Sequence, residues 1–220
     1  MKTWTSSLII ILVILALGAL AVATLPRGME GATAAAPVEV AAPNAAKWNA
    51  IVMALDSTST IPDAQALASA IPGTTQILRW NASLKNFTYY IPNGGGGTNF
   101  STLVGEPYFV QLNNTAGAVF SVVGDVPPQS GQPGAVQFNL VGGSPCKWNY
   151  ISLPLDKSTI TTAQTLADAI GNVGMLLVWD ASIQNFTYYI PNGGGGTNFA
   201  TKIGYPYWVC MNTNKSWPLN

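Results

Sequence analysis

The sequence predicts a mainly β protein made of two tandem, duplicated, small β-sandwich-like domains, each with one short helix. Three observations predict this. The fifteen-residue string NFTYYIPNGGGGTNF stands identically at 86–100 and 185–199, so the chain is an internal duplication. The strings KWNAIVMALD (47–56) and KWNYISLPLD (147–156) alternate side chains with the period of a strand. Between these two landmarks, each copy carries one apolar stripe of helical period, set by Leu67, Ala68 and Ile71 and by Leu166, Ala167 and Ile170.

The first 23 residues read as a secretory signal peptide. Lys2 supplies the positive end, residues 8–17 an apolar run, and Ala21, Val22 and Ala23 a small-residue cleavage site. The competing reading is a retained anchor, because the apolar stretch from Leu8 to Leu25 is about 18 residues, close to a bilayer span. Residues 24–45 are small, proline-punctuated and nearly uncharged, and read as an extended arm. Domain one then occupies 46–126, a linker 127–135 and domain two 136–220.

Within each domain the elements follow one order. Residues 48–55 and 148–155 form a first strand, with Trp48, Ala50, Val52 and Ala54 on one face. Ala64, Leu67, Ala68 and Ile71 line one side of a helix of about three turns, which Gly73 or Gly171 stops. Short apolar strands at 76–80 and 175–179 turn at Asn-Ala-Ser or Asp-Ala-Ser into aromatic strands at 87–91 and 186–190. Asn93-Gly94 and Asn192-Gly193 read as tight turns, and 104–112 and 203–211 supply the closing strand. Two further strands, 118–123 and 136–140, flank a loop containing Pro127, Pro128, Gly131, Pro133 and Gly134.

Cys146 and Cys210 are the two cysteines of a chain read as exported, so a disulfide joining the two ends of domain two is expected. Domain one has Ala46 and Gln111 at the matching positions. Domain two, followed only by Ser216, Trp217, Pro218 and Leu219, reads as lacking the strand that 118–123 gives domain one, and the bridge reads as compensation. The strand before domain two, VQFNL, has its counterpart in Val38, Glu39 and Val40 of the arm. An open sheet edge is a template for another strand. The arm of one subunit is therefore expected to act as a donor strand that completes domain two of the next, head to tail. The alternative is a plain spacer, with the edge blunted by the C-terminal tail.

Composition narrows the function classes. Only 8% of residues are charged and the net charge is zero, so there is no basic cluster to hold phosphates and no nucleic-acid partner is expected. Histidine is absent, which removes the commonest general base and metal ligand. The carboxylates are spread thinly, and only Asp56 and Asp156 match between copies, at positions suited to capping a turn. The glycine runs lack the spacing and following helix of a phosphate loop. No enzyme activity, cofactor or metal site is expected, and the membrane is engaged only transiently, through the signal segment.

Two sets of residues stay open as contact sites. Trp80, Tyr89, Tyr90 and Tyr108, with Trp179, Tyr188, Tyr189 and Tyr207, suit either a sugar platform or a subunit interface. Alternation sends Tyr89 and Tyr90 to opposite faces. Sequons at Asn81, Asn86, Asn99, Asn113, Asn185 and Asn214 are glycan acceptors in an exported chain.

The strings WNYISLPLD (148–156), L-x-x-W-D-A from Leu176 to Ala181, F-x-x-Y at Phe186 and Tyr189, and G-x-P-Y-W-V at 204–209 resemble a repeat of secreted and cell-surface proteins of bacteria and archaea. That repeat begins "GWNLISLPL" and ends "GYWVY". Domain one departs from it, with Val52, Met53 and Ala54 in place of Ser-Leu-Pro. The resemblance implies stalk, surface-layer or adhesion modules with no catalytic residue. The expectation is an extracellular or cell-surface structural protein, a filament or coat subunit assembling as a homo-oligomer. The alternative is a monomeric adhesion module that binds surface carbohydrate.

Overall fold

The computed structural model describes the backbone of residues 33–40 and the whole of residues 47–114 and 117–217. The signal segment 1–23 and the rest of the arm lie outside the described residues. Copy one contains β1 (Thr33–Val40), β2 (Lys47–Val52), α1 (Ala64–Ala70), β3 (Thr74–Asn81), β4 (Asn86–Ile91), β5 (Gly96–Gly97), β6 (Pro107–Leu112) and β7 (Ala118–Asp125). Copy two contains β8 (Phe138–Leu140), β9 (Lys147–Ser152), α2 (Ala163–Ile170), β10 (Val173–Asp180), β11 (Asn185–Ile190), β12 (Gly195–Gly196), β13 (Pro206–Met211) and β14 (Lys215–Trp217). The protein is mainly β, with two similar sheet units that each carry one short helix, as the duplication predicts.

Each copy builds a five-stranded antiparallel sheet, in the order β2-β6-β3-β4-β5 and β9-β13-β10-β11-β12. The two sheets share even their irregularities, with a register shift between Thr74 and Gln76 in one and between Val173 and Met175 in the other. Each also has a two-stranded ribbon beside it, β1 with β7 and β8 with β14.

The helices are shorter than their sequence stripe suggests, about two turns instead of three. Asp63 caps α1 by accepting the Ala66 N–H, and Thr162 and Thr165 form a reciprocal capping box on α2. Gly171, at φ 72°, stops α2 in a conformation a β-carbon disfavours.

Alternation along the strands sorts side chains to two buried faces rather than one. Ile51, Met53, Ile77, Tyr108, Val110 and Leu112 meet α1 and the inward Phe120 and Val122 of β7, and this is the core of copy one. Ile151, Leu176, Val209 and Met211 meet Leu166, Ile170 and Trp217 in copy two. The opposite face of each sheet carries aromatic side chains, and these pack against the other copy. Phe109, Tyr150 and Trp208 are buried there, flanked by Trp48, Trp80, Phe87, Trp148 and Trp179. Two cores and one aromatic seam thus make the hydrophobic interior.

The seam is reciprocal. Trp80 Nε1 donates to the Trp148 carbonyl at 3.0 Å, and its counterpart Trp179 Nε1 donates to the Trp48 carbonyl at 3.0 Å. Trp80 lies 4.9 Å from Phe87 and Trp179 lies 4.8 Å from Phe186, both edge to face. Such mutual exchange is the mark of a self-complementary contact, here formed between two copies within one chain.

Candidate functional site

The structure places Val38, Glu39 and Val40 in β1, where they lie opposite Phe120, Val119 and Ala118 of the same chain's β7. The antiparallel ladder runs from Thr33–Asp125 to Val40–Ala118. The arm segment expected to donate a strand to copy two of another subunit, or else to be a plain spacer, is thus an eight-residue strand that pairs with copy one of its own chain. On β7, Phe120 and Val122 point into the core while Val119 and Val123 are 74% and 51% exposed. β7 therefore lays one apolar face on copy one and turns another outward.

Copy two is not short of a strand. β14 occupies the place of β7 and pairs with β8 through Lys215–Leu140, Ser216–Asn139 and Trp217–Phe138. Its three residues include one large apolar side chain, Trp217, which is 2% exposed and stacks on Phe138 at 6.2 Å. A three-residue strand with one anchor shows no alternation, so sequence reading passes over it. The Cys146–Cys210 disulfide is formed, with Cα atoms 5.3 Å apart, and it ties β13 to the residue just before β9 within the copy that has the shorter ribbon.

The aromatic residues singled out from sequence divide three ways. Tyr108 and Tyr207 are core residues, 0% and 1% exposed, and are therefore unavailable to a ligand or another subunit. Tyr108 donates to Glu106 Oε2 at 2.6 Å and accepts the Leu103 N–H; Tyr207 accepts the Lys202 N–H. Trp80 and Trp179 belong to the seam between copies, so their interface is internal. Tyr90 and Tyr189 are half-buried against the cores, and the Tyr189 hydroxyl donates to Gln164. Tyr89 and Tyr188 remain, 45% and 49% exposed, on the seam side of their strands but beyond its packed centre.

These two tyrosines lie on glycine. A β-carbon on Gly97 would sit 2.3 Å from the Tyr89 carbonyl oxygen, and one on Gly196 would sit 2.4 Å from that of Tyr188. Only glycine lets the short strands β5 and β12 approach so closely. Asn93-Gly94 and Asn192-Gly193 all have positive φ, as a tight hairpin turn requires.

The sequons also separate. Asn81, Asn99 and Asn214 have their side-chain oxygens engaged, by the N–H groups of Leu84, Gln65 and Gly142. Asn185 likewise accepts the Phe186 N–H; Asn86 and Asn185 are exposed at the start of their strands, and Asn113 is exposed just beyond β6. Asp56 accepts from the Thr58 N–H and hydroxyl, the turn-capping role expected of it, whereas Asp156 accepts the Ser130 N–H and so holds the linker instead of capping its own turn.

Two features escaped sequence reading. Gln184 reaches across the seam to the edge of β2, where its Oε1 accepts the Trp48 N–H at 2.8 Å and its Nε2 donates to the Trp48 carbonyl at 2.9 Å. One side chain thus plugs an open strand edge. A cleft of about 200 Å³ lies where the two copies and the linker meet, lined by Ala54, Gly105, Pro128, Ser152, Leu155 and Gly204. Its polar groups are mostly committed; Ser152 Oγ, for example, donates to the Gly105 carbonyl at 2.7 Å.

Two carboxylates are shifted in opposite directions: the Ser182 hydroxyl and N–H hold the Asp180 carboxyl below its ordinary value. Burial raises the Glu106 carboxyl above its ordinary range, opposed by the Tyr108 hydrogen bond and the charge of Arg79. Burial likewise raises the hydroxyls of Tyr108, Tyr150 and Tyr207. Among the described residues, no helix is long and apolar enough to cross a membrane. No protein-family model, curated protein or solved structure matches the chain.

Proposed function

We propose that the protein is an extracellular structural subunit of a cell-surface filament or coat, assembling head to tail by strand exchange. The observation that carries this reading is the eight-residue ladder between β1 and β7. β1 is separated in sequence from the sheet of copy one by only residues 41–46, and its partner strand offers the same ladder to any copy. In the isolated subunit β1 closes on its own β7; in the assembly it closes on the β7 of the next. The pairings gained equal those lost, so concentration and the linking segment decide between the two. Because β14 already fills the corresponding place in copy two, the acceptor is copy one of the neighbour, not copy two. The signal segment, the disulfide and the resemblance to cell-surface repeats agree with an extracellular location, and the internal seam gives each subunit a rigid body.

One observation favours a second reading, a monomeric adhesion or carbohydrate-binding module: the paired exposure of Tyr89 and Tyr188. Electron microscopy and sedimentation of the exported full-length chain separate the two. Strand exchange gives filaments or concentration-dependent oligomers that disappear when residues 24–45 are deleted. A concentration-independent monomer that loses glycan binding on Tyr89→Ala or Tyr188→Ala refutes the first reading and supports the second.

A further inference from the structure

The hairpin tips of the two copies share a backbone and differ at one side chain. Lys85 and Gln184 each stand directly before the identical string NFTYYI, and both have positive φ, 53° and 54°. The flanking strands keep one register, with Asn81 opposite Asn86 and Asp180 opposite Asn185. Each hairpin also sends the same indole across the seam. Trp179 Nε1 donates to the Trp48 carbonyl and Trp80 Nε1 to the Trp148 carbonyl, both at 3.0 Å. Each tip is thus held in the same way at the edge strand of the other copy.

At β2 the tip supplies an acceptor: Gln184 Oε1 takes the Trp48 N–H at 2.8 Å. At β9 the equivalent N–H is given none. Trp148 lies opposite Cys210 as Trp48 lies opposite Gln111, so its N–H points away from β13 as that of Trp48 points away from β6. No side chain among the described residues accepts it, and Lys85, standing in the place of Gln184, carries donors only. Lys85 is exposed, and no hydrogen bond or ion pair among the described residues holds its ammonium. An outward edge N–H and an uncommitted ammonium therefore share the place where the other copy has a carboxamide.

We infer that Lys85 and the Trp148 N–H form a binding site for a carboxylate. The carboxylate is the planar counterpart of the Gln184 carboxamide. One of its oxygens takes the place of Gln184 Oε1 and accepts the Trp148 N–H, while the other pairs with the Lys85 ammonium. A carboxamide ligand would set its own N–H against that ammonium, whereas a carboxylate meets two donors with two acceptors. The Trp148 carbonyl already holds the Trp80 indole and asks nothing of the ligand. A sugar acid and a simple organic acid share this chemistry. The site is independent of strand exchange and survives its failure.

The test titrates the ¹⁵N-labelled full-length chain with sodium acetate, sodium D-glucuronate and uncharged D-glucose at constant ionic strength, and follows the Trp48 and Trp148 backbone amides. Both carboxylates are expected to move the Trp148 resonance and leave that of Trp48 in place, and glucose is expected to move neither. Lys85→Gln removes the ammonium and brings its own acceptor. Its Trp148 amide is expected to be shifted before any ligand is added, and its affinity for either carboxylate to fall at least about tenfold, the effect of losing one charge-assisted hydrogen bond. Gln184→Lys copies the site to the other edge, so the Trp48 amide of that variant is expected to respond as well. Tighter binding of glucuronate than of acetate assigns the site to a sugar acid, and equal binding assigns it to the carboxylate alone. The inference is overturned if neither carboxylate moves the Trp148 amide, if glucose moves it as far as glucuronate does, or if Lys85→Gln binds like the wild type.

Discussion

Phe109→Ala tests the aromatic seam most sharply. Phe109 is 6% exposed and belongs to the seam, not to the core of its own copy. Six rings surround it at centroid distances from 5.3 Å for Tyr150 to 6.5 Å for Trp208, including Trp179 and Phe186 from the other sheet. Truncating a buried phenylalanine costs about 3–5 kcal/mol, and the crowded position puts this one near about 4 kcal/mol. For a chain of this size that corresponds to a fall in melting temperature of about 8–16 °C. Tryptophan fluorescence reports it directly, because Trp48, Trp80, Trp148, Trp179 and Trp208 all line the seam. Amide hydrogen exchange supplies the decisive part: protection is expected to fall in β13 of copy two as well as in β6, because one residue supports both sheets. A loss below about 1 kcal/mol, or a loss of protection confined to copy one, refutes the reasoning.

Three further outcomes follow from the same structure. Replacing Cys146 and Cys210 together by serine opens a loop of 64 residues and is expected to cost about 4 kcal/mol in denaturant unfolding, mainly in copy two. Glu106 has a raised folded-state pKa, so the native state holds its proton more tightly and stability falls as pH rises from the ordinary carboxylate value through the raised one. Glu106→Gln is expected to flatten that part of the melting-temperature profile and to leave the Tyr108 hydroxyl an acceptor. The Tyr150 hydroxyl is buried with no hydrogen-bond partner among the described residues, so Tyr150→Phe is expected to stabilise the protein by about 1 kcal/mol in thermal melts. By contrast, Tyr207→Phe removes the acceptor of the Lys202 N–H and is expected to destabilise it.

How much of this was legible in the sequence depended on the signal each element carries. The duplication, the strand alternation and the helix stripe are strong periodic patterns, and the strands and helices stand where they predicted. The disulfide followed from having two cysteines in a chain read as exported. The seam was not legible because alternation tells two faces apart without saying whether one of them meets water. Trp80 and Trp179 therefore read as a platform for something external, although they serve the other copy. A signal was present all the same: identical aromatic positions in two tandem copies form a surface able to pair with itself. β14 was invisible because Lys-Ser-Trp has too few residues to show a period.

The central claim is that β1 leaves its own subunit to pair with another. Positions 39 and 119 lie opposite one another in the β1–β7 ladder, and Val119 faces solvent. A full-length chain carrying Glu39→Cys and Val119→Cys, oxidised at assembly concentrations and run without reductant, reads out which chain supplies the strand. Strand exchange predicts a ladder of covalent multimers that collapses to one band on reduction; cross-links found only within single chains at every concentration would contradict it.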